Sequence, residues 1–236
     1  MMKIVSFKIC PFVQRVTALL EAKSVPYDIE FISLSNKPQW FLDISPTGQV
    51  PVLITEDGDA LFESDAIVEY IEEVTPPLVA DVSPVQRARD RAWSHQASKH
   101  YLVQCSTMQS KDKAILAERE AKLTKAFEKV ERQLGDGPFF SGETLGNVDI
   151  AWLPLLHRAL IVKEHSGHDF LADYPKVQAW QGALAETGLY AKSVAKDFCE
   201  RFSDFYLGES TFLGRGADFS ESSVKPAPKQ AARCCG

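Results

Sequence analysis

The sequence predicts a two-domain protein in which a small α/β domain precedes an all-helical domain. Three observations support this prediction. The first 75 residues combine β-rich segments with helical periods, a proline-rich segment then interrupts the pattern, and only helical periods follow it. With 236 residues, the chain is long enough to form two such cores.

The predicted α/β domain covers residues 1–75 and opens with a strand, a helix and a strand. Short β-rich segments lie at 2–7 and 27–32, and apolar residues recur between them at helical spacing. We then expect a short helix near 38–44, followed by strands near 52–55 and 60–62 that an Asp-Gly turn joins. Apolar residues at helical spacing from Ile67 to Val74 predict one more helix.

Residues 76–84 form the predicted linker, because prolines at both ends cannot continue regular structure. An all-α domain is predicted over 85–210, where apolar residues repeat with helical periods. Pro154 lies inside one of these helices and is expected to bend it or loosen its first half. Residues 211–236 are expected to be a C-terminal tail, disordered at least from 220, since the composition there becomes small and polar.

Charge and hydropathy exclude several classes of partner. The net charge of −6 gives no general electrostatic reason to expect nucleic acid. No run of about 18 apolar residues is present, and Lys3 and Lys8 interrupt the stretch that a signal peptide would need. We therefore expect a cytoplasmic protein that does not bind a membrane.

The spacing of the five cysteines argues against a disulfide framework and against a structural zinc site. Their positions, 10, 105, 199, 234 and 235, lack both a C-x-x-C pair and zinc-ligand spacing. His165 and His168 could share a helix face, but no further ligand accompanies them, and surface histidines are the favoured interpretation. We expect no metal.

Cys10 is the candidate nucleophile. It follows the first predicted strand, and Pro11 suits the first position of the next helix because its missing N–H would be unpaired there. Free N–H groups at a helix N-terminus stabilise a thiolate and predict a lowered pKa for Cys10. The alternative is a small buried hydrophobe. Since Val13 replaces the second cysteine of a C-x-x-C pair, an external thiol would have to resolve a mixed disulfide.

Two further segments could bind a ligand. Pro51 begins a strand, and a cis bond before it would turn the Val50 backbone toward an extended peptide, although a trans turn is the commoner arrangement. Glu63 and Ser64 precede a helix. They suit a simple helix start, or a site for the amino-acid end of a ligand with donors for its carboxylate and an acid for its ammonium.

Four motifs, in this order, resemble the glutathione transferase superfamily, and most closely its cysteine-type members, the omega class and plant dehydroascorbate reductases. The motifs are Ile9-Cys10-Pro11-Phe12, Lys37-Pro38-Gln39-Trp40-Phe41, Ser45-Pro46-Thr47-Gly48-Gln49-Val50-Pro51-Val52-Leu53 and Phe62-Glu63-Ser64. The resemblance implies a thioredoxin-like N-terminal domain followed by a helical domain, the glutathione transferase fold. It also implies a homodimer.

The resemblance implies roles for individual residues. Cys10 would bond the glutathione sulfur, and Val50 would pair with the cysteinyl backbone of glutathione before a cis Pro51. Glu63 and Ser64 would bind the γ-glutamyl group. The residues expected to line the rest of the glutathione site are Phe12, Leu34 and Lys37.

The second half of the chain matches the family less closely. Arg158, Phe198 and Tyr206 align with residues that line an open pocket for the second substrate, but Phe198 could equally pin a C-terminal helix to the core. Gly146 stands where the family usually has a Ser or Thr that caps a helix. Asp149 can still serve the helix start, but the reciprocal hydroxyl bond is lost.

The predicted function is that of a glutathione-dependent thiol transferase or reductase. It would act on mixed disulfides, with dehydroascorbate as a further candidate substrate. Glutathione would be the co-substrate, and a small electrophile or disulfide the second substrate. Two alternatives stay open. One is a glutathione S-conjugating transferase. It would need a hydroxyl near the thiol of bound glutathione, but Cys10 occupies the usual place of that hydroxyl, and Ser6 is a weak substitute. The other is a non-enzymatic binding or regulatory module.

Overall fold

The N-terminal domain is built on a four-stranded mixed sheet. The computed structural model describes residues 1–216. A strand–helix–strand unit opens the chain, and two short antiparallel strands and a final helix complete the domain. The elements are β1 (Met2–Ser6), α1 (Pro11–Ala22), β2 (Tyr27–Phe31), α2 (Gln39–Ile44), β3 (Val52–Ile54), β4 (Ala60–Phe62) and α3 (Ser64–Val74).

The strands lie in the order β2-β1-β3-β4. β1 is parallel to β2 and antiparallel to β3, and β3 is antiparallel to β4. Ile4 and Leu53 are fully buried, as are Val16 and Leu19 of α1, so the sheet and α1 share a core. Burial of such apolar surface is the main force that holds the domain together.

The second domain is helical throughout its described part. The helices follow the apolar periods of the sequence, and a short 3₁₀ turn at Leu213–Arg215 ends the described chain. Their bounds are α4 (Pro84–Met108), α5 (Lys113–Gln133), α6 (Asn147–Ser166), α7 (Pro175–Glu186), α8 (Leu189–Lys192) and α9 (Phe198–Tyr206). The fold class predicted from the sequence, an α/β domain followed by an all-α domain, is confirmed.

Asp149 anchors the start of α6, which Gly146 leaves without a hydroxyl cap. The Asp149 Oδ2 atom accepts a hydrogen bond of 2.7 Å from the Gly146 N–H. Its Oδ1 atom accepts from the Phe140 N–H at 2.8 Å and from the Trp180 indole N–H at 2.6 Å. One buried carboxylate therefore joins α6 and α7 to the loop that precedes α6. α6 continues as a helix through Pro154.

The two ends of the helical domain differ from the prediction. Pro84, assigned to the linker, is the first residue of α4, a position where a missing N–H is tolerated. The Ser83 hydroxyl caps this helix by accepting a hydrogen bond from the Gln86 N–H. Residues 211–216, assigned to the tail, instead pack on the domain: Leu213 is buried, and the Phe212 N–H donates to the Ser110 carbonyl at 2.8 Å. The prediction of disorder from residue 220 lies outside the described residues.

Candidate active site

The predicted glutathione-site segments all leave the sheet at one end. Val5 of β1 pairs with Val52 of β3, and Val52 pairs with Phe62 of β4. Ser6, the last residue of β1, pairs with Phe31, the last residue of β2. Consequently the turns that follow β1, β2 and β4 and the turn that precedes β3 lie along the same edge. They carry Cys10, Leu34, Lys37, Val50, Pro51, Glu63 and Ser64.

Cys10 is the N-cap residue of α1. Its backbone is extended, with φ −75° and ψ 123°, and Pro11 begins the helix. The Cys10 carbonyl accepts from the Gln14 N–H at 3.1 Å, while its own N–H donates to the Phe7 carbonyl at 3.0 Å. The Cys10 Sγ atom lies 4.0 Å from the Val50 carbonyl oxygen and remains partly exposed. The sulfur therefore faces the turn that precedes β3.

Burial sets the acidity of the Cys10 thiol. Desolvation by surrounding protein atoms raises the pKa of Cys10 from 9.0 to about 11. The N–H groups of Val13 and Phe12 and the positive charge of Arg158 lower it, but they do not outweigh desolvation. The prediction of a lowered pKa for Cys10 is thus wrong, because desolvation of the thiol outweighs the stabilisation that the helix N-terminus supplies.

The turn before β3 contains a cis peptide bond and lies next to Lys37. The Val50–Pro51 peptide bond is cis. Gly48 has a φ of +61°, a conformation that favours glycine, and its N–H donates to the Ser45 carbonyl at 3.0 Å. A Cβ atom added to Gly48 would lie 3.7 Å from the Lys37 Nζ atom. The Lys37 ammonium therefore lies over this turn.

Glu63 precedes α3 in a strained conformation, and Ser64 begins the helix. Glu63, the N-cap residue, has φ 68° and ψ 117°, which a non-glycine residue rarely adopts. Its side chain is exposed, whereas Ser64 is buried as the first residue of the helix. Strain of this kind persists where the surroundings enforce it, and it is concentrated at functional sites.

Phe12 and Leu34 have different surroundings. Phe12 is partly buried and contacts the Tyr101 ring edge to face, with 5.0 Å between the ring centroids. Leu34 lies in the segment after β2 and has 40% of its surface exposed. Phe12 is thus held against α4, while Leu34 presents an apolar surface to solvent near Lys37.

Arg158, Phe198 and Tyr206, the residues expected to line an open pocket, are all buried. Their exposed fractions are 0%, 1% and 6%. Phe198 stacks on Phe202 with 5.6 Å between centroids, and both rings lie near the Arg158 guanidinium. The alternative, in which Phe198 pins a C-terminal helix to the core, describes this geometry better.

A buried polar network behind Cys10 was missed by the sequence analysis. The Gln14 Oε1 atom accepts from Arg158, so its Nε2 atom faces the His157 Nδ1 atom at 2.8 Å and the Ser193 Oγ atom at 3.2 Å. The Thr17 hydroxyl donates to the Ser193 carbonyl at 2.7 Å. Gln14 and Thr17 interrupt the apolar period of α1. These two polar residues were the sequence signal that could have revealed the network.

A cavity of about 480 Å³ lies between β2 and the segment before α9. Lys8 lies beside it and pairs with Asp197 at 2.6 Å. Its lining residues are Lys8, Tyr27, Ile29, Phe31, Ser193, Val194, Ala195, Lys196 and Asp197. Cys10 is not among them, so the cavity is not assigned to the chemistry of the sulfur.

Residues 1–216 offer neither a metal site of clustered ligands nor a membrane-spanning helix. No group of three or more His, Cys, Asp or Glu side chains in that range is arranged to hold a metal ion. In the same range, every helix is too short or too polar to cross a membrane.

Comparison with known proteins identifies similar sequences for both domains. One family model, described as "Glutathione S-transferase, N-terminal domain", matches residues 9–74, and another, "Glutathione S-transferase, C-terminal domain", matches residues 113–180. The chain is 34% identical over 201 residues to a probable cytosolic glutathione S-transferase DHAR1 from Oryza sativa subsp. japonica. That match covers 79% of this chain and 84% of the relative.

Animal and fungal proteins are similar as well. The chain is 31% identical over 215 residues to glutathione S-transferase omega-1 from Mus musculus, covering 88% of this chain and 87% of that protein. Among solved structures, glutathione transferase Omega 3C from Trametes versicolor superposes with a TM-score of 0.71 at 28% identity. That superposition covers 83% of this chain and 89% of the fungal chain.

Proposed function

The chain belongs to the glutathione S-transferase family, and on that premise we propose that it is a glutathione-dependent thiol transferase and reductase whose nucleophile is Cys10. The observation that carries the proposal is the position of Cys10. A partly exposed thiol, instead of a hydroxyl, occupies the N-cap of α1 and lies 4.0 Å from the Val50 carbonyl oxygen. The relatives named DHAR1 and omega-1 support the same class of activity.

The proposed reaction is a two-step disulfide exchange. The Cys10 thiolate attacks the glutathionyl sulfur of a mixed disulfide, a bond forms between the two sulfurs, and the substrate leaves as a thiolate that takes up a proton. A second glutathione thiolate then attacks the glutathionyl sulfur on Cys10. Oxidised glutathione leaves, and the Cys10 thiolate is regenerated.

Dehydroascorbate reduction fits the same cycle. Two glutathione thiols together supply two electrons and two protons to dehydroascorbate, which becomes ascorbate, and they leave as oxidised glutathione. Cys10 carries one glutathionyl group between the two steps. A single active-site thiol is sufficient because glutathione itself resolves the mixed disulfide.

We propose that glutathione lies along the sheet edge that carries the turns described above. The Val50 backbone would pair with the cysteinyl residue, Lys37 would face a carboxylate, and Glu63 and Ser64 would hold the γ-glutamyl group. Phe12 and Leu34 would contact its apolar surface. The shared edge supports this assignment, since it aligns the three turns with Cys10.

A conjugating transferase is the weaker alternative. It needs a hydroxyl close to the glutathione sulfur, and Ser6, the hydroxyl considered for this role, is buried at the end of β1. A substrate panel distinguishes the functions: the thiol transferase reduces hydroxyethyl disulfide and dehydroascorbate, whereas a conjugating enzyme acts on chlorodinitrobenzene. Activity toward chlorodinitrobenzene alone would overturn the proposal, and inactivity toward all three would favour a non-enzymatic module.

We expect Glu63→Gln and Ser64→Ala each to weaken glutathione binding about ten- to a hundred-fold. The physical reason is the loss of one hydrogen bond to a charged group, which contributes about 1.5 to 3 kcal/mol. Because neither residue would touch the sulfur, the rate at saturating glutathione should change much less. Titration calorimetry gives the affinity, and steady-state kinetics give the two constants.

The matched control for Glu63→Gln is Glu56→Gln. Glu56 pairs with the N-terminal amine beyond the opposite end of the sheet, so its loss should leave glutathione affinity unchanged. A melting curve must accompany Ser64→Ala, since Ser64 is buried at the start of α3. Unchanged affinity in both folded site variants would place glutathione elsewhere.

A homodimer in the cytosol is the remaining part of the proposal. Apolar side chains on β4, α3 and α4 are exposed, which suits burial against a second copy, and the rice relative is named cytosolic. These side chains are Phe62, Val74, Val85 and Leu102. Light scattering should give a mass about twice the 26.2 kDa of the chain; a mass equal to one chain at micromolar concentration would contradict it.

A further inference from the structure

Arg158 is a buried cation without an acidic partner in residues 1–216. Its side chain is fully buried, and no salt bridge within that range includes it. Its hydrogen bonds go to neutral acceptors, namely the Gln14 Oε1 atom, the Pro154 carbonyl at 2.9 Å and the Ile9 carbonyl at 3.1 Å. The Arg158 Nε atom has no hydrogen-bond partner among the described residues. Such a charge is costly to bury, which calls for a compensating role.

The hydrogen bonds of Arg158 bracket Cys10. Ile9, whose carbonyl accepts from Nη2, directly precedes Cys10. Gln14, which accepts from Nη1, donates its backbone N–H to the Cys10 carbonyl. Arg158 of α6 therefore holds the cap of α1 on both sides of the sulfur.

The other titratable groups near Cys10 do not supply a positive charge. Tyr101 and Cys105 face it from α4 and Tyr206 faces it from α9, and burial raises the pKa of both phenols, so they are neutral at neutral pH. The charge of Arg15 in α1 lowers the pKa of Tyr101, but Arg15 is already paired with Asp65.

The orientation of the Gln14 side chain also sets the contact that it makes with His157, the neighbour of Arg158. Arginine can only donate, so the Gln14 oxygen faces Arg158 and the Gln14 amide nitrogen donates to the His157 Nδ1 atom. Nδ1 is thus an acceptor. Among the described residues, Arg158 supplies the positive charge that lowers the pKa of Cys10.

Aromatic rings strengthen the effect of this charge. The Arg158 Cζ atom lies 5.5 Å from the Phe198 centroid and 6.0 Å from the Phe202 centroid. Both rings are buried and keep water from the guanidinium. A charge interaction in such a setting is screened less than one at the surface.

We propose that Arg158 is a positioning residue for the reaction of Cys10: its buried charge stabilises the Cys10 thiolate, and its hydrogen bonds to Ile9 and Gln14 hold the turn that carries the sulfur. The inference rests on the proposed function. In the second step, the bond between the Cys10 sulfur and the glutathionyl sulfur breaks, and its electron pair goes to Cys10. Stabilising that leaving thiolate accelerates its departure.

Three variants separate charge from shape. Arg158→Met removes the charge, and Arg158→Lys keeps it but loses the planar fork. Gln14→Glu keeps Arg158 and adds the missing carboxylate beside it. Alkylation of Cys10 by iodoacetamide, followed by peptide mass mapping between about pH 6 and 9, measures thiolate formation without any need for glutathione.

Near neutral pH, alkylation of Cys10 should slow about ten-fold in Arg158→Met and Gln14→Glu, and less in Arg158→Lys. The structural control is Gln181→Leu in α7. It removes a buried hydrogen bond to the carbonyl of Leu156, which lies in α6 together with Arg158. It should lower the melting temperature and leave the alkylation profile unchanged.

Any folded charge-changing variant with a wild-type alkylation profile overturns the inference. If Arg158→Met does not fold, Gln14→Glu decides the question alone. A slowed profile in Gln181→Leu would also overturn it, because general destabilisation would then explain the effect. If the profiles shift as expected but the wild-type protein lacks glutathione-dependent reduction, the proposed function fails and the role of Arg158 in thiolate stability stands.

Discussion

Replacing Cys10 with serine is expected to reduce disulfide and dehydroascorbate reduction by about a thousand-fold or more. A serine hydroxyl cannot form a mixed disulfide with glutathione and is not ionised at neutral pH, so the covalent cycle has no substitute nucleophile. Glutathione binding should survive, because the proposed peptide contacts come from Val50, Glu63 and Ser64. Turnover with hydroxyethyl disulfide and a glutathione titration measure the two effects separately.

Cys199→Ser is the matched control for this variant. Cys199 is another partly exposed thiol and lies in α9, outside the proposed cycle. Its replacement should leave turnover within about two-fold of wild type, the change expected of a position without special contacts. Full activity in Cys10→Ser, or loss of activity in a folded Cys199→Ser, would contradict the assignment of the nucleophile.

Replacing Asp149 with alanine is expected to destabilise the fold by about 3 kcal/mol or more. The change removes a buried acceptor of three hydrogen bonds and leaves the N–H groups of Gly146, Phe140 and Trp180 without it. For a chain of this size, the melting temperature should fall by about 6 to 12 °C. Calorimetry or denaturant unfolding measures the loss.

Trp180→Phe provides a graded comparison for Asp149. It keeps a large aromatic ring and removes one of the three donors, so its loss should be smaller, about 1 to 3 kcal/mol. A melting temperature for Asp149→Ala within about 1 °C of wild type would mean that the start of α6 is secured in another way.

Local sequence signals predicted most of the fold. Pro11 after a β-rich segment located the start of α1, and apolar periods located α4 to α7, because helix capping and amphipathic spacing act over a few residues. The start of β3 followed in the same way from Pro51, where a strand was expected to begin. Ser83 ends the linker earlier than predicted, since its hydroxyl caps α4.

Long-range burial could not be read from the sequence. The network of Arg158 and Gln14 joins residues 144 positions apart, and no local period predicts which polar side chain meets which partner across two domains. The same limit explains Cys10. The helix N-terminus was visible in the sequence, whereas the desolvation that raises the pKa of Cys10 depends on how α4, α6 and α9 pack around it.

The central claim is that Cys10 carries the glutathionyl group between two substrates. The most direct measurement is peptide mass mapping under non-reducing conditions, after the protein has reacted with a glutathionylated peptide in the absence of free glutathione. We expect one glutathionyl group on the peptide that contains Cys10, and its release as oxidised glutathione when glutathione is added. Consumption of the substrate with Cys10 unmodified, or the group on another cysteine, would contradict the account.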